Sequence, residues 1–228
     1  MIVRNPFKTF VRFEWFLWIC SMIVVGGSSL IAGSFSLLTL VASLLGVTAL
    51  IFVAKGDVWG QILTVLFSLL YAGISLKFRY FGEMITSLGM TAPIALLSVV
   101  SWMRNPYAGT TEVQVHQITR TQRVWMVVST VAVTTLFYFI LAAFGTTNLY
   151  ISTISIATSF LASYLMLFRS SGYALAFAAN DIVLIVLWVL ATIEDLSYLP
   201  MIACFTMFLL NDIYGFLNWK RMRQRQWG

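Results

Sequence analysis

The chain has 228 residues, of which 60% are apolar and only 10% are charged, and its mean hydropathy is +0.91. A soluble domain carries about 25% charged residues, so this composition excludes an ordinary water-soluble globule. The 18 Phe, 9 Tyr and 8 Trp residues also exclude a disordered chain. The net charge of +6 would favour nucleic acid as the partner of a soluble protein. Here the basic residues separate apolar runs, which favours a lipid bilayer and no nucleic acid.

The apolar runs between charged residues have the length of membrane spans. A helix needs about 20 apolar residues to cross the hydrocarbon core. Only helices satisfy their backbone groups in lipid with such short loops, and the alternation of a β-barrel is absent. The first run is too long for a signal-peptide core and is expected to be retained. The sequence predicts an all-α polytopic membrane protein with about eight transmembrane helices. Their expected positions are 13–32, 35–54, 58–76, 81–103, 124–144, 149–168, 172–193 and 196–219, with a break at Gly33-Ser34.

Lys and Arg residues divide unequally between the two sides of these eight spans. Twelve of the 14 basic residues fall on the side of the N-terminal and C-terminal tails, and only Lys77 and Arg79 fall on the other. The acidic pair Glu194 and Asp195 lies with Lys77 and Arg79. The positive-inside rule therefore predicts a multi-pass protein of the cell membrane with both termini in the cytoplasm.

Two pairs of landmarks predict an internal repeat. Ser101-Trp102-Met-Arg ends the fourth span and Asn218-Trp219-Lys-Arg ends the eighth, while Lys55 and Arg169 close the second and sixth. Two three-span units joined by one linking span would keep both units in the same orientation, as in some transporters. The expected divisions are an extra N-terminal helix (1–34), a first three-helix unit (35–103), a loop and linking helix (104–148), a second three-helix unit (149–219) and a basic cytoplasmic tail (220–228).

Polar and aromatic residues share single faces of three predicted spans. Asp181 lies in the middle of the seventh span, where an ionised carboxylate costs about 2.5–3.5 kcal/mol, so it faces a partner or a wet cavity, or it is protonated. On the eighth span, amide and aromatic residues recur at helical spacing and form one face, and Asp212 lies beside this face. Such faces also serve as helix-packing contacts. The candidate substrate-binding residues on the three spans are Gln61, Tyr71, Phe177, Asn180, Asp181, Trp188, Asn211, Tyr214, Asn218 and Trp219.

The chemistry of these faces suits a neutral or singly charged solute with a flat ring and several hydroxyl groups. Aromatic side chains stack on rings and attract cations, while amides and a carboxylate bind hydroxyl groups. Phosphate-binding loops and hydrolase motifs are absent, so no enzyme is predicted. His116 is the single histidine, and Cys20 and Cys204 lie in separate apolar runs. We therefore expect no metal site and no cofactor.

Several of these residues resemble the PnuC-type vitamin transporters. The first half of the chain carries Lys55-Gly-Asp-Val-Trp59-Gly-Gln61 and Tyr80-Phe-Gly82, and the second half carries Asn180-Asp181 and Asn211-x-x-Tyr214-Gly215-x-x-Asn218-Trp219. The resemblance covers residues 35–219. It implies a three-plus-one-plus-three core like that of SWEET sugar transporters, with one extra N-terminal helix. It also implies facilitated uptake of nicotinamide riboside or a related vitamin or nucleoside, which a cytoplasmic kinase then traps by phosphorylation.

One departure from the nicotinamide riboside pattern leaves the substrate open. That branch places a Trp-x-x-Trp pair just before the aspartate, whereas this chain has Ala174 and Phe177. Thiamine, riboflavin and deoxynucleosides are alternative substrates, and proton coupling through Asp181 is an alternative mechanism. A structural membrane subunit, whose polar faces only pack helices, is the alternative of another class. The sequence leaves self-association into a homo-oligomer open.

Overall fold

The computed structural model describes residues 5–31, 37–77, 81–146, 148–194 and 199–228, and the account below refers to these ranges. Their regular structure is helical, with a 3-10 turn at Pro6–Thr9 and two isolated backbone bridges. The helices are α1 (Arg12–Ile31), α2 (Leu37–Ala54), α3 (Val58–Lys77), α4 (Phe81–Thr86), α5 (Ala92–Arg104), α6 (Arg120–Ala143), α7 (Leu149–Leu167), α8 (Tyr173–Glu194) and α9 (Leu199–Trp227).

The prediction of an all-α protein with eight long helices is confirmed. α4 and α5 form one continuous helical run, because a π-helical turn at Ser87–Thr91 joins them. Pro93 follows this turn and lacks the amide hydrogen that a regular α-helix requires, which accounts for the local widening. Within the described ranges, five helical stretches are long and apolar enough to cross a membrane, namely 84–104, 120–143, 149–167, 173–193 and 201–227, with shorter apolar helices at 40–54 and 58–74.

The segments that the charge pattern assigned to one side do meet at one end of the bundle. The Lys55 ammonium donates to the Thr9 carbonyl over 2.9 Å, and the His116 amide donates to the Arg169 carbonyl over 3.0 Å. The Trp227 indole donates to the Val115 carbonyl over 3.0 Å. We call this the basic end. Arg4, the break at Gly33-Ser34, Arg79 and Asp195 lie outside the described residues.

The basic tail extends α9 instead of forming a separate segment. The predicted eighth span stops at Trp219, whereas α9 continues to Trp227. Lys, Arg and Gln favour helix once the chain has left the hydrocarbon. The last turn is docked on the loop between α5 and α6, because the Gln226 side chain accepts from the Val115 amide over 2.7 Å and Arg225 pairs with Glu112.

A glycine-dependent turn brings α2 and α3 together at the basic end. Gly56 has φ +68°, and a Cβ there would stand 2.7 Å from the Met222 methyl group. At Gly60, a Cβ would lie 2.4 Å from the backbone nitrogen of Val53. Only glycine permits both the left-handed conformation and this backbone approach.

Two buried tryptophans make reciprocal contacts between the halves of the chain. Trp102 at the end of α5 donates to the Met166 carbonyl at the end of α7 over 3.1 Å, and Trp219 on α9 donates to the Val53 carbonyl at the end of α2 over 2.9 Å. The residue before each tryptophan makes an equivalent bond to the other half of the chain. Ser101 donates to the Leu167 carbonyl, and Asn218 donates to the Ala54 carbonyl. The two indole rings are 5.5 Å apart and join the two sets of contacts at the centre of the basic end.

Replacing either tryptophan with phenylalanine tests this junction. We expect Trp102→Phe and Trp219→Phe each to destabilise the protein by about 1–3 kcal/mol, because each loses a buried hydrogen bond and ring packing. Thermal stability in detergent, followed by size-exclusion chromatography, measures the loss. Trp125→Phe is the matched control because its side chain is exposed. Equal melting temperatures for all three variants would contradict the stabilising role of Trp102 and Trp219 at this junction.

Candidate functional site

Two carboxyl groups face each other between α8 and α9. Asp181 and Asp212 are both buried and close enough to interact electrostatically, and the Tyr173 hydroxyl lies near Asp212. Cys204 lies near Asp181 from the α9 side. The two side chains share a hydrogen bond, which requires one carboxyl group to hold a proton, so the pair carries a single negative charge when the other group is ionised. The α8–α9 seam therefore offers an environment for a positively charged group.

Asn211 connects α9 to the N-terminal helix. Its amide nitrogen donates to the Ser21 hydroxyl over 3.0 Å and to the Met207 carbonyl over 2.8 Å. The Ser21 hydroxyl in turn donates to the Leu17 carbonyl. The carbonyl oxygen of the Asn211 side chain remains without a hydrogen-bond partner among the described residues. Asn211 thus keeps one acceptor free while α1 fixes its orientation.

Tyr214 belongs to a charged network at the start of α1. Its hydroxyl donates to Glu14 over 2.7 Å, and Glu14 forms an ion pair with Lys55 over 2.6 Å. Glu14 is only 3% exposed. Phe13 packs against the Tyr214 ring, with 5.3 Å between the ring centroids. The Tyr214 hydroxyl is therefore committed to α1, and only its ring is left for stacking on a solute.

Three further candidates are engaged in contacts between helices. Asn180 accepts from the Thr158 hydroxyl on α7 over 2.8 Å and faces Ser155 on the same helix. Asn218 and Trp219 bind the last carbonyls of α2, as described above. Amide and indole groups commonly join helices in this way inside membranes.

The remaining candidates divide between the α8–α9 pair and α3. Phe177 packs edge-on against Tyr173 at 6.2 Å, and Trp188 stacks on Phe205 at 6.5 Å, both along the α8–α9 seam. Tyr71 stacks on Phe67 within α3. Gln61 is completely buried on α3, which packs mainly against α2 and α5. The structure thus groups Asp181, Phe177, Trp188 and Asn211 at the α8–α9 pair and leaves Gln61 and Tyr71 on α3.

Several buried polar atoms have no hydrogen-bond partner in the described part of the chain. Native proteins satisfy the great majority of such atoms, and an unmet group costs about 1–3 kcal/mol. They include both amide atoms of Gln61, one carboxyl oxygen of Asp181, the side-chain oxygen of Asn211 and the Tyr173 hydroxyl. These donors and acceptors are able to bind a polar ligand or water.

Two cavities are prominent in the described ranges, and neither is lined by these atoms. One of about 600 Å³ lies at the basic end, and the other, of about 350 Å³, is an apolar groove between α1 and α2. Asp181 and Asn211 are only 4% and 1% exposed. A solute would therefore need the helices to separate before it could reach Asp181 and Asn211.

Sequence reasoning missed two members of these networks. Glu14 and Ser21 both lie on the helix that was treated as an addition to the core, yet they hold Tyr214 and Asn211. An acidic residue at the very start of an apolar run was the available signal for Glu14. Tyr173 and Asp212 were visible on the polar faces, but their proximity depends on how α8 and α9 pack.

An all-helical chain with several membrane-length apolar helices, which enclose carboxyl and amide groups, has the architecture of a polytopic membrane transporter. A solved structure described as that of the Vitamin B3 transporter PnuC has the same fold, with a TM-score of 0.80 and 24% identity over 95% of this chain and 94% of the other. The nicotinamide riboside transporter PnuC of Neisseria mucosa is 25% identical over 99% of this chain and 87% of the relative. The protein of the same name from Haemophilus influenzae is 23% identical over 92% and 90%.

The family itself follows from a match that covers most of the chain. Residues 36–221 match the model of the family described as nicotinamide mononucleotide transporter, and the chain belongs to this family. It is accordingly a membrane transporter and not an enzyme.

Breaking the buried ion pair tests whether α1 is an integral part of the site. We expect Lys55→Met to destabilise the protein by about 3–5 kcal/mol, because Glu14 would keep a buried charge without its partner. The double variant Glu14→Gln with Lys55→Met removes both charges and should recover most of the lost melting temperature. If the double variant melts as low as Lys55→Met, the ion pair does not account for the loss.

Proposed function

We propose that this transporter takes up nicotinamide riboside, or a closely related vitamin or nucleoside, by facilitated diffusion. The single observation that carries the proposal is the group of buried polar atoms without partners, above all on Asp181 and Asn211. A ribose supplies hydroxyl groups for the free oxygens, and the pyridinium ring of nicotinamide riboside supplies one positive charge for the Asp181–Asp212 pair. The names of the two curated relatives support this substrate.

Each candidate residue has a proposed role that fits its contacts. Asp181 and Asn211 would accept hydrogen bonds directly, and Gln61 would approach from α3 when the helices rearrange. Phe177, Trp188, Tyr71 and the ring of Tyr214 would supply stacking surfaces. Asn180, Asn218 and Trp219 would hold the neighbouring helices in place around the solute.

The charge distribution favours a nucleoside over a nucleotide. A phosphate needs a basic side chain or a free helix N-terminus at the binding depth. Lys55, which is linked to Tyr214 through Glu14, is already paired with that glutamate. The unphosphorylated solute therefore suits the interior, and phosphorylation by a cytoplasmic kinase would prevent its return.

The movement that opens the site is proposed to occur between two three-helix units, 35–103 and 149–219. The reciprocal bonds of Trp102 and Trp219 support this division, because each joins the last helix of one unit to the first helix of the other. Rocking about this junction would expose the seam to one side of the membrane at a time. The basic end would face the cytoplasm, as the positive-inside rule requires.

Asn211→Ala tests the site directly. We expect saturable uptake of nicotinamide riboside in proteoliposomes to fall by about tenfold or more, because a polar site that loses one hydrogen-bonding group discriminates strongly. Thr206→Ala is the matched control, since it also removes a polar side chain from α9 but an exposed one that bonds only its own helix. Uptake should be unchanged in Thr206→Ala. Unchanged uptake in Asn211→Ala would remove that residue from the site.

Gradient experiments separate passive uptake from proton coupling. In proteoliposomes that hold no kinase, we expect the internal nicotinamide riboside concentration to reach the external one and stop there, with or without a pH gradient. Accumulation that is driven by a pH gradient and lost in Asp181→Asn would overturn facilitated diffusion in favour of a proton-coupled carrier. Thiamine, riboflavin and deoxynucleosides in the same assay identify the substrate if nicotinamide riboside fails.

A further inference from the structure

A polar cavity lies at the basic end, outside the apolar part of the bundle. Its volume of about 600 Å³ falls within the range of small-molecule sites, which is about 300–1,000 Å³. The walls come from three separate parts of the chain: the segment that leads into α6, the segment that leads into α8, and the last turns of α9. The residues that matter for its chemistry are His116, Arg123, Ser170, Ser171, Arg223 and Trp227.

The two guanidinium groups of this cavity are not neutralised by the described part of the chain. Arg123 comes from α6 and Arg223 from α9, and no acidic side chain lines the cavity with them. Neither forms an ion pair there, whether with a side chain or with the carboxylate at Gly228. Nearby arginines behave differently, because Arg225 pairs with Glu112 and Arg169 donates to Ser101 and to the Gln114 carbonyl.

The other walls supply donors and a fixed aromatic surface. Ser170 accepts from the Gly172 amide and keeps its own hydrogen for a ligand, and Ser171 is next to it, just before α8 begins. The His116 ring is held by Gln122 over 3.0 Å. The Trp227 indole, although 55% exposed, is fixed by its bond to the Val115 carbonyl. Two arginines, serine hydroxyls and the start of a helix are groups that bind phosphate oxygens.

We propose that this cavity binds a phosphate monoester, separately from the transport site. Charge-assisted bonds from Arg123 and Arg223 hold the phosphate, while the serine hydroxyls donate to its remaining oxygens. The ligand is either a soluble phosphorylated metabolite or the headgroup of an anionic lipid, since both present the same group and basic cytoplasmic pockets take lipid headgroups. If uptake is followed by phosphorylation as proposed above, the trapped product belongs to this chemical class.

The test compares two double variants with equal loss of charge on the same two helices. Arg123→Gln with Arg223→Gln removes both guanidinium groups of the cavity, and Arg120→Gln with Lys220→Gln removes two neighbouring charges that do not line it. Nicotinamide mononucleotide and inorganic phosphate are the soluble probes, titrated in detergent by calorimetry and thermal shift. Nanodiscs with phosphatidic acid, compared with phosphatidylcholine alone, are the lipid probe.

We expect one of the two phosphate sources to stabilise the unaltered protein and the Arg120/Lys220 variant. Binding should be about tenfold or more weaker in the Arg123/Arg223 variant, and should weaken with salt. Stabilisation by the soluble probes identifies a metabolite, and stabilisation by phosphatidic acid alone identifies a lipid headgroup. No response to either source, or equal loss in both double variants, overturns the proposal. Nicotinamide riboside uptake should be equal in both double variants, so failure of the phosphate site is distinguishable from failure of the transport function.

Discussion

The structure depends on the requirement that polar groups find partners where water is absent. Helices satisfy the backbone, but the buried carboxyl, amide and indole groups must be satisfied by neighbouring helices or by a ligand. Most of them meet this requirement through contacts between elements that are far apart in sequence. Asn211 reaches Ser21, Tyr214 reaches Glu14, and Trp219 reaches the end of α2. The few groups that do not meet it are concentrated on α3 and the α8–α9 pair, which is why these helices are the proposed site.

The polar contacts differ in kind between the centre and the basic end. At the basic end, Trp102 and Trp219 close off the last carbonyls of α7 and α2 in matching ways, and the loop after α5 is bound to the end of α9. These contacts are complete and suit a fixed junction. On α8 and α9, one carboxyl oxygen of Asp181 and the side-chain oxygen of Asn211 have no hydrogen-bond partner among the described residues. A transporter needs both a fixed junction and free polar groups. Its rigid units move about the junction, and its solute binds where polar groups have no partner within the protein.

The N-terminal helix contacts the proposed site although it precedes the residues that the family model matches. The family match begins at residue 36, after α1 has ended. Yet α1 supplies Glu14 and Ser21 and packs against both α2 and α9. Any motion of α9 must therefore carry α1 with it or break the hydrogen bonds from Tyr214 to Glu14 and from Asn211 to Ser21, which is costly where water is absent. This links the helix that precedes the core to the proposed transport cycle.

The sequence by itself determined the class, the number of long helices and the grouping of the basic segments, because hydrophobic length and charge position are local properties of the chain. It also placed Asp181, Asn211 and Tyr214 on polar faces, since helical periodicity depends on spacing alone. It did not determine that Tyr214 and Asn211 bind α1, or that Asn180 accepts a hydrogen bond from α7. Nor did it determine that Arg123 and Arg223 line the same cavity. Periodicity fixes the face that a residue occupies on its own helix and leaves the opposing helix unspecified. Only the packing of the bundle decided which polar groups were paired and which stayed free.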